Sequence, residues 1–417
     1  MSLLADLLST MFDRETAYRS KTVWDQKPID DLILELISNK GEVTGMTLAL
    51  QILAKYREMN GQEKLAFFNI LAYEMDIDAN QVKMALKAYK EAPSKTSYKL
   101  FMAASEPKRQ EFLRRLNQVP GSTADLVMMR KDLLKYTKEY PLLGALDLDF
   151  KHLFVSWFNR GFLVLRPINW RSPAHILEKI IEYEAVHSID SWEDLRRRLK
   201  PVDRRCFAFF HPSMPDDPLI FVEVALTNEI SDSIQTILAD DRDALELSSV
   251  NTAVFYSISN CQQGLAGISF GNSLIKQVVK DLSTELPNLT RFVTLSPIPK
   301  FTDWLENVAE PGLFEHADLR QLAAYYLTEA KGVNESPYDP VARFHLNNGA
   351  MVHSVHLNAD VSDNGMMQSS GVMVNYLYDL SMIETNHEKY TNEKEIPMSK
   401  EIRNLVQIIN KQKLRTA

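Results

Sequence analysis

Apolar residues in the first 158 positions recur at steps of three and four, the spacing that puts them on one face of a helix. Leu65, Phe68, Ala72 and Met75 mark one such face and Phe112, Leu113 and Leu116 another, with Ser105, Glu106 and Pro107 read as the cap and first turn that open the second. Leu3, Leu4, Leu7, Leu8 and Met11 form a further stripe, read as an ordinary packing helix. Only five glycines and no cysteine interrupt this stretch, so four or more helices gathered into a bundle are predicted. Beyond Trp170 the period shortens. Runs at 206–210, 219–226, 252–258, 292–295, 351–357 and 371–378 are rich in β-branched and aromatic residues and read as strands, with helical patterns between several of them. The predicted fold class is therefore α+β with two domains, an all-helical bundle over residues 1–158 and a mixed α/β domain over 159–417.

The most informative stretch runs from Asn251 to Pro299, NTAVFYSISNCQQGLAGISFGNSLIKQVVKDLSTELPNLTRFVTLSPIP. An apolar strand leads through Gly264, Gly267 and Gly271 into an amphipathic helix carrying Leu274, Ile275, Val278, Val279 and Leu282, and then into a second strand. Glycines before a helix let the backbone approach a ligand and aim free N–H groups at an anion. The segment lacks the Gly-Lys-Ser/Thr ending of a nucleotide-hydrolysing loop, its glycine steps do not fit Gly-x-Gly-x-x-Gly, and Ser273 lacks the second glycine of a nucleophile elbow. Two readings stay open: a cradle for the pyrophosphate of coenzyme A, or glycines that permit tight strand-to-helix packing.

Composition narrows the picture. A chain of 417 residues exceeds one small core, and its net charge of −8 does not fit a protein built to grip nucleic acid. Cys206 and Cys261 are the only cysteines, too few for a disulfide framework or a four-thiolate metal site. No apolar run reaches the ~18 residues of a membrane span, and neither the acidic first residues nor the closing Leu-Arg-Thr-Ala reads as a targeting address. A cytoplasmic protein is expected. The basic run of Arg196, Arg197, Arg198, Lys200, Arg204 and Arg205 is either a solvated face or a phosphate contact.

The same glycine segment, followed by TLSPIPKF, DPVARFHLNNGA and SSGVMVNYLY, resembles malonyl-CoA decarboxylase, as does HPSMPDDPLIFVEVALTNEISDSIQTIL upstream and, more loosely, GFLVLRPINW. The likeness covers most of residues 150–385. It implies a carboxy-terminal domain of the GNAT acyl-CoA type behind a helical domain that assembles a homotetramer, and conversion of malonyl-CoA to acetyl-CoA and carbon dioxide in fatty acid metabolism without cofactor or metal.

On this resemblance His345 is the proton donor and Ser296 the proton acceptor, with Ser257 and Tyr378 lining the pocket. The malonyl-CoA binding loop falls on Ala266, Gly267, Ile268, Ser269, Phe270, Gly271 and Asn272. Several relatives carry glutamate where this chain has Ser269. From the residues themselves, Asp339 and Pro340 read as cap and first residue of a short helix that Gly349 ends, giving His345 a defined face and a resting pKa near working pH. The prolines around Ser296 read as stopping ladder pairing and leaving its hydroxyl toward a cleft. His353 and His356 are expected on opposite faces of one strand, against a shared metal site. Two other functions fit the inferred fold: an acyl-CoA N-acetyltransferase, which needs an amine acceptor, and a non-catalytic acyl-CoA sensor.

Overall fold

A computed structural model describes residues 27–38, 41–268, 274–308, 317–332 and 335–416. The apolar stripe at residues 3–11 and the loop residues Ser269, Phe270, Gly271 and Asn272 lie outside them. Contacts divide the chain into two units. One holds residues 1–163 together with 211–215 and 262–269, and the other holds 164–210, 216–261 and 270–417.

The helical spacing of the first unit becomes α1 (Ile29–Ser38), α2 (Glu42–Glu58), α3 (Gly61–Tyr73), α4 (Ala79–Glu91), α5 (Lys95–Ser105), α6 (Lys108–Leu116), α7 (Ser122–Leu134) and α8 (Leu143–Trp157). Asn60 caps α3 with Glu63 answering it, and Asp78 and Ser94 cap α4 and α5. Ser105 ends α5 rather than opening α6, whose N-cap is Pro107 without a side-chain cap. Proline's fixed φ suits that junction. Phe67, Phe68, Leu71, Phe112, Leu116, Leu133 and Phe150 are buried in the core. Three acids inside it are neutralised: Arg109 pairs with Asp149, Arg130 with Asp147 and Lys64 with Asp132. By contrast α4 buries no residue and α5 only Ser97.

The second unit is built on one mixed sheet. Its elements are β1 (Val164–Ile168), α9 (Ala174–Tyr183), α10 (Trp192–Leu199), β2 (Arg204–Phe210), β3 (Ile220–Thr227), α11 (Ile234–Leu238), β4 (Thr252–Asn260), α12 (Leu274–Glu285), β5 (Arg291–Thr294), β6 (Ser296–Pro297), α13 (Phe301–Asn307), α14 (Leu319–Thr328), α15 (Pro340–Asn347), β7 (Met351–His356), α16 (Asp363–Ser369), β8 (Met373–Leu377), α17 (Ile383–Glu388) and α18 (Lys400–Thr416). The strand order is β1-β2-β3-β4-β5-β8, with β6 and β7 both on β8. β1 to β4 are antiparallel and β4 to β5 parallel. Helices pack along the sheet. Ile176, Leu177, Ile180, Leu195 and Leu199 of α9 and α10 pack on Cys206, Ala208 and Phe221, while Ile234 and Ile237 of α11 pack on Val254, Tyr256 and Val293.

Two local features set the geometry of the site. A bulge between Glu223 and Val224 leaves Tyr256 of β4 without a register partner on β3. The register of β4 with β5 runs from Thr252 opposite Arg291 only as far as Phe255 opposite Thr294, so the second half of β4 has no partner on that side. β1 was not legible as a strand, because it alternates only weakly and contains Pro167, which an edge position tolerates.

Candidate functional site

Sequence and packing together bring His345 to Ser296. Asp339 caps α15 with its Oδ1 accepting the Val341 and Ala342 N–H groups at 2.9 and 2.8 Å, and Pro340 takes the first turn. The far end closes at Gly349, whose φ is +83° and whose missing side chain makes room for the Ile383 carbonyl. Only glycine meets both demands. Held between these stops, His345 lies on the buried face of α15 at 2% exposure. Ser296 follows β5 and does not stop the ladder: Ser296 and Pro297 pair with Val374 and Met373 of β8. Pairing at Pro297 survives because a proline carbonyl still accepts. The Ser296 hydroxyl is accordingly buried and faces side chains rather than an open cleft.

Four groups form a chain there. Ser296 Oγ donates to Thr294 Oγ1 at 2.8 Å and lies 3.2 Å from His345 Nε2, while His345 Nδ1 lies 2.8 Å from the Tyr378 hydroxyl. With the serine proton given to Thr294, the imidazole must donate from Nε2, and its bare Nδ1 accepts the Tyr378 O–H. Thr294 Oγ1 also accepts the Tyr376 N–H at 3.1 Å. Tyr376 stacks on the imidazole with centroids 4.5 Å apart, and its own hydroxyl is buried without a partner. Among the described residues no charge compensates an imidazolium here, so burial pushes the His345 pKa down to about 3 rather than leaving it near working pH. The resting group is a neutral Nε2–H donor. Thr294 and Tyr376 were missed from sequence, since nothing in a strand pattern distinguishes a threonine or tyrosine that faces a histidine.

Ser257 sits elsewhere in the network. Its hydroxyl meets the Glu184 carboxylate at 2.8 and 2.7 Å and has no hydrogen bond to His345 or Ser296. Glu184 also accepts the Val186 and His187 N–H groups. Directly across the ladder from Ser257 stands Glu223, fully buried, with Oε2 3.3 Å from Arg198 Nη1 and Oε1 unpartnered. Burial, reinforced by Glu184, pushes its carboxyl up to about 8 despite Arg198. A glutamate in the middle of IFVEVALT was the signal in the sequence that could have found it.

Of the basic run, Arg196 pairs with Glu193, Arg197 with Asp194 and Asp240, Arg198 with Asp194 and Glu223, and Arg205 with Glu285. Arg204 donates to the Ile237 carbonyl and lies against Asp203. Each of these arginines thus has a carboxylate or carbonyl partner within the chain. His353 and His356 also depart from expectation: a bulge between Val352 and Ser354 lets both rings reach Ser354 Oγ, at 3.1 and 3.2 Å. Among the described residues no three His, Cys, Asp or Glu side chains converge as a metal site, and no helix is long and apolar enough to cross a membrane.

The glycine loop divides. Gly264 packs on α7, where any Cβ would overlap the Val127 carbonyl, so here the packing reading holds. Gly267 has φ +73°, and among the described residues the space above it meets only the Lys151 side chain, with Nζ 3.8 Å from an added Cβ.

An antiparallel β1–β4 run followed by a parallel β4/β5 pair that separates beyond Phe255 defines a GNAT-like sheet, here with a buried Ser-His-Tyr chain beside its fifth strand. Comparison with known proteins narrows this class. The malonyl-CoA decarboxylase C-terminal domain model matches residues 161–316 and 314–416, and the malonyl-CoA decarboxylase N-terminal domain model matches 75–158. Crystal structures of malonyl-CoA decarboxylase from Rhodopseudomonas palustris and Agrobacterium vitis superpose with a TM-score of 0.85 each, at 47% and 46% identity, over 90% of this chain and 98% and 99% of theirs. The mitochondrial malonyl-CoA decarboxylase of Rattus norvegicus is 36% identical over 72% of this chain and 71% of its own length. The chain belongs to the malonyl-CoA decarboxylase family and is a carboxy-lyase.

Proposed function

We propose that the chain converts malonyl-CoA to acetyl-CoA and carbon dioxide through a thioester enolate, with His345 as proton donor and Ser296 hydrogen-bonding the substrate. The observation that carries this reading is the buried contact of Ser296 Oγ with His345 Nε2, backed by Tyr378. The malonyl carbon–carbon bond breaks when the carboxylate stands out of the thioester plane, and its electron pair passes into the carbonyl. Donors aimed at the resulting oxyanion lower the barrier, one good donor by roughly 3 kcal/mol. The reaction consumes one proton, delivered to the carbon that becomes the methyl group.

A neutral imidazole is a weak acid, and the substrate's own charge resolves this. A malonate carboxylate placed beside His345 stabilises the imidazolium that burial otherwise disfavours. The ring then takes up a proton as substrate binds, with Tyr378 turning from donor to acceptor at Nδ1, and gives it to the enolate carbon. Ser296 acts without a covalent acyl intermediate. Ser257, tied to Glu184, and the loop Ala266, Gly267, Ile268, Ser269, Phe270, Gly271 and Asn272 bind the acyl-CoA.

The helical domain, residues 1–158, assembles a homo-oligomer, a tetramer by likeness to the family. Helices α4 and α5 bury almost nothing in their own chain yet carry Met84, Tyr98, Leu100 and Met102 exposed. Pure protein given malonyl-CoA with chelator and no amine acceptor should release acetyl-CoA and carbon dioxide. Thioester consumption that required an amine would replace this reading with acetyl transfer, and binding without turnover would replace it with sensing. Charged substitutions at Met84 and Leu100 should lower the mass seen by light scattering, and an unchanged mass would place the interface elsewhere.

A further inference from the structure

The turn that follows β4 belongs, by its contacts, to the helical unit. Arg130 of α7 is fully buried. Its Nη1 donates to the Gly264 carbonyl at 2.7 Å, its Nε to Asp147 Oδ1 at 2.8 Å, and its Nη2 has no partner. Lys151 of α8 reaches the other oxygen of the same carboxylate at 3.1 Å. Two cations thus share one anion, and a net positive charge remains beneath residues 264–268. Lys151 keeps 38% of its side chain exposed, and among the described residues it is the sole neighbour of the open space over Gly267. A left-handed glycine brings the backbone close to whatever occupies that space.

We propose that Lys151 binds a phosphate of the substrate's coenzyme A moiety at Gly267, with Arg130 and Asp147 as positioning residues that hold the turn and aim the lysine. This rests on the reading that the loop at 266–272 binds the acyl-CoA. The site lies wholly within the helical unit, which then binds ligand as well as assembling the protein. Asp147 is suited to its part: it fixes Lys151 from one side and leaves the outward hydrogens of the ammonium free for an anion. A buried arginine with one nitrogen unused keeps the local field positive, where the lysine alone would be neutralised by the aspartate.

The test is calorimetry of coenzyme A and of pantetheine, which lacks every phosphate, with the full chain and with Lys151→Met. Loss of one charge-assisted contact at a partly exposed site should weaken coenzyme A by ~5-fold or more. Pantetheine should be unaffected, and Lys151→Arg should restore most of the difference. The coenzyme A dependence on salt should also flatten in Lys151→Met. Equal weakening of both ligands, or no weakening of either, overturns the proposal. Failure of the unaltered chain to bind coenzyme A would instead overturn the function on which it rests. Arg130→Lys, which retains a charge but not the donor to Gly264, should reduce coenzyme A affinity and lower the melting temperature together.

Discussion

Acid pH offers a direct measurement of the His345 environment. An exposed histidine titrates near 6.5, whereas burial holds His345 at about 3 in the folded chain. The unfolded chain therefore binds a proton below pH 6.5 that the native chain refuses until about pH 3. Stability is fully present above 6.5 and is lost as pH falls toward the folded value. Each unit is worth ~1.4 kcal/mol, so between pH 7.5 and 4.5, two units of which lie below 6.5, this one residue removes about 3 kcal/mol. His345 is 2% exposed, so solvent screening does not reduce that figure appreciably. The assay is urea unfolding of the wild type and His345→Asn at both pH values. Wild-type stability minus that of the variant should narrow by about 3 kcal/mol on acidification, because asparagine does not titrate. Parallel pH profiles, or a proton resonance of the His345 imidazole, assigned by its loss in His345→Asn, titrating near 6.5 in the folded wild type, would refute the argument and with it the neutral resting state.

The same variant should keep its fold and lower turnover by at least ~100-fold, the lower range for removal of a general acid, as steady-state kinetics would show. Ser296→Ala should also slow turnover, and a stable acyl adduct on Ser296 in mass spectrometry would contradict its non-covalent role. Binding of a non-decarboxylating malonyl-CoA analogue at pH 7.5 should take up close to one proton, read from calorimetry in buffers of different ionisation enthalpy, whereas acetyl-CoA, lacking the carboxylate, should take up none. Gly267→Val forces a β-branched residue into a left-handed backbone and should weaken coenzyme A while costing roughly 1–3 kcal/mol of stability; Gly264→Ala should destabilise through its clash with Val127. Arg198→Met should cost ~1–3 kcal/mol in denaturant unfolding because the His187 and Ser188 carbonyls and the Asp194 carboxylate lose their donor, whereas Glu223→Gln, replacing a carboxyl already pushed to about 8, should cost far less.

Most of what identifies the protein is local in sequence. Helical spacing marked the amino-terminal bundle, β-branched runs marked six strands to within a few residues, and Asp339-Pro340 with Gly349 bounded the helix that presents His345. These succeed because periodicity, caps and left-handed glycines act over a turn or two of chain. What sequence left open depends on partners far apart in the chain. Whether an arginine meets a phosphate or a carboxylate is decided by the neighbours it finds, and those of Arg198 include Glu223, twenty-five positions away. Gly264 and Gly267 look alike in the sequence, yet Val127 fills the space at one and Lys151 borders open space at the other. The protonation state of His345 was the furthest from view. It follows from complete burial beside Tyr376, Tyr378 and Ser296, which no spacing rule encodes, because desolvation belongs to the packed surroundings and not to the residue.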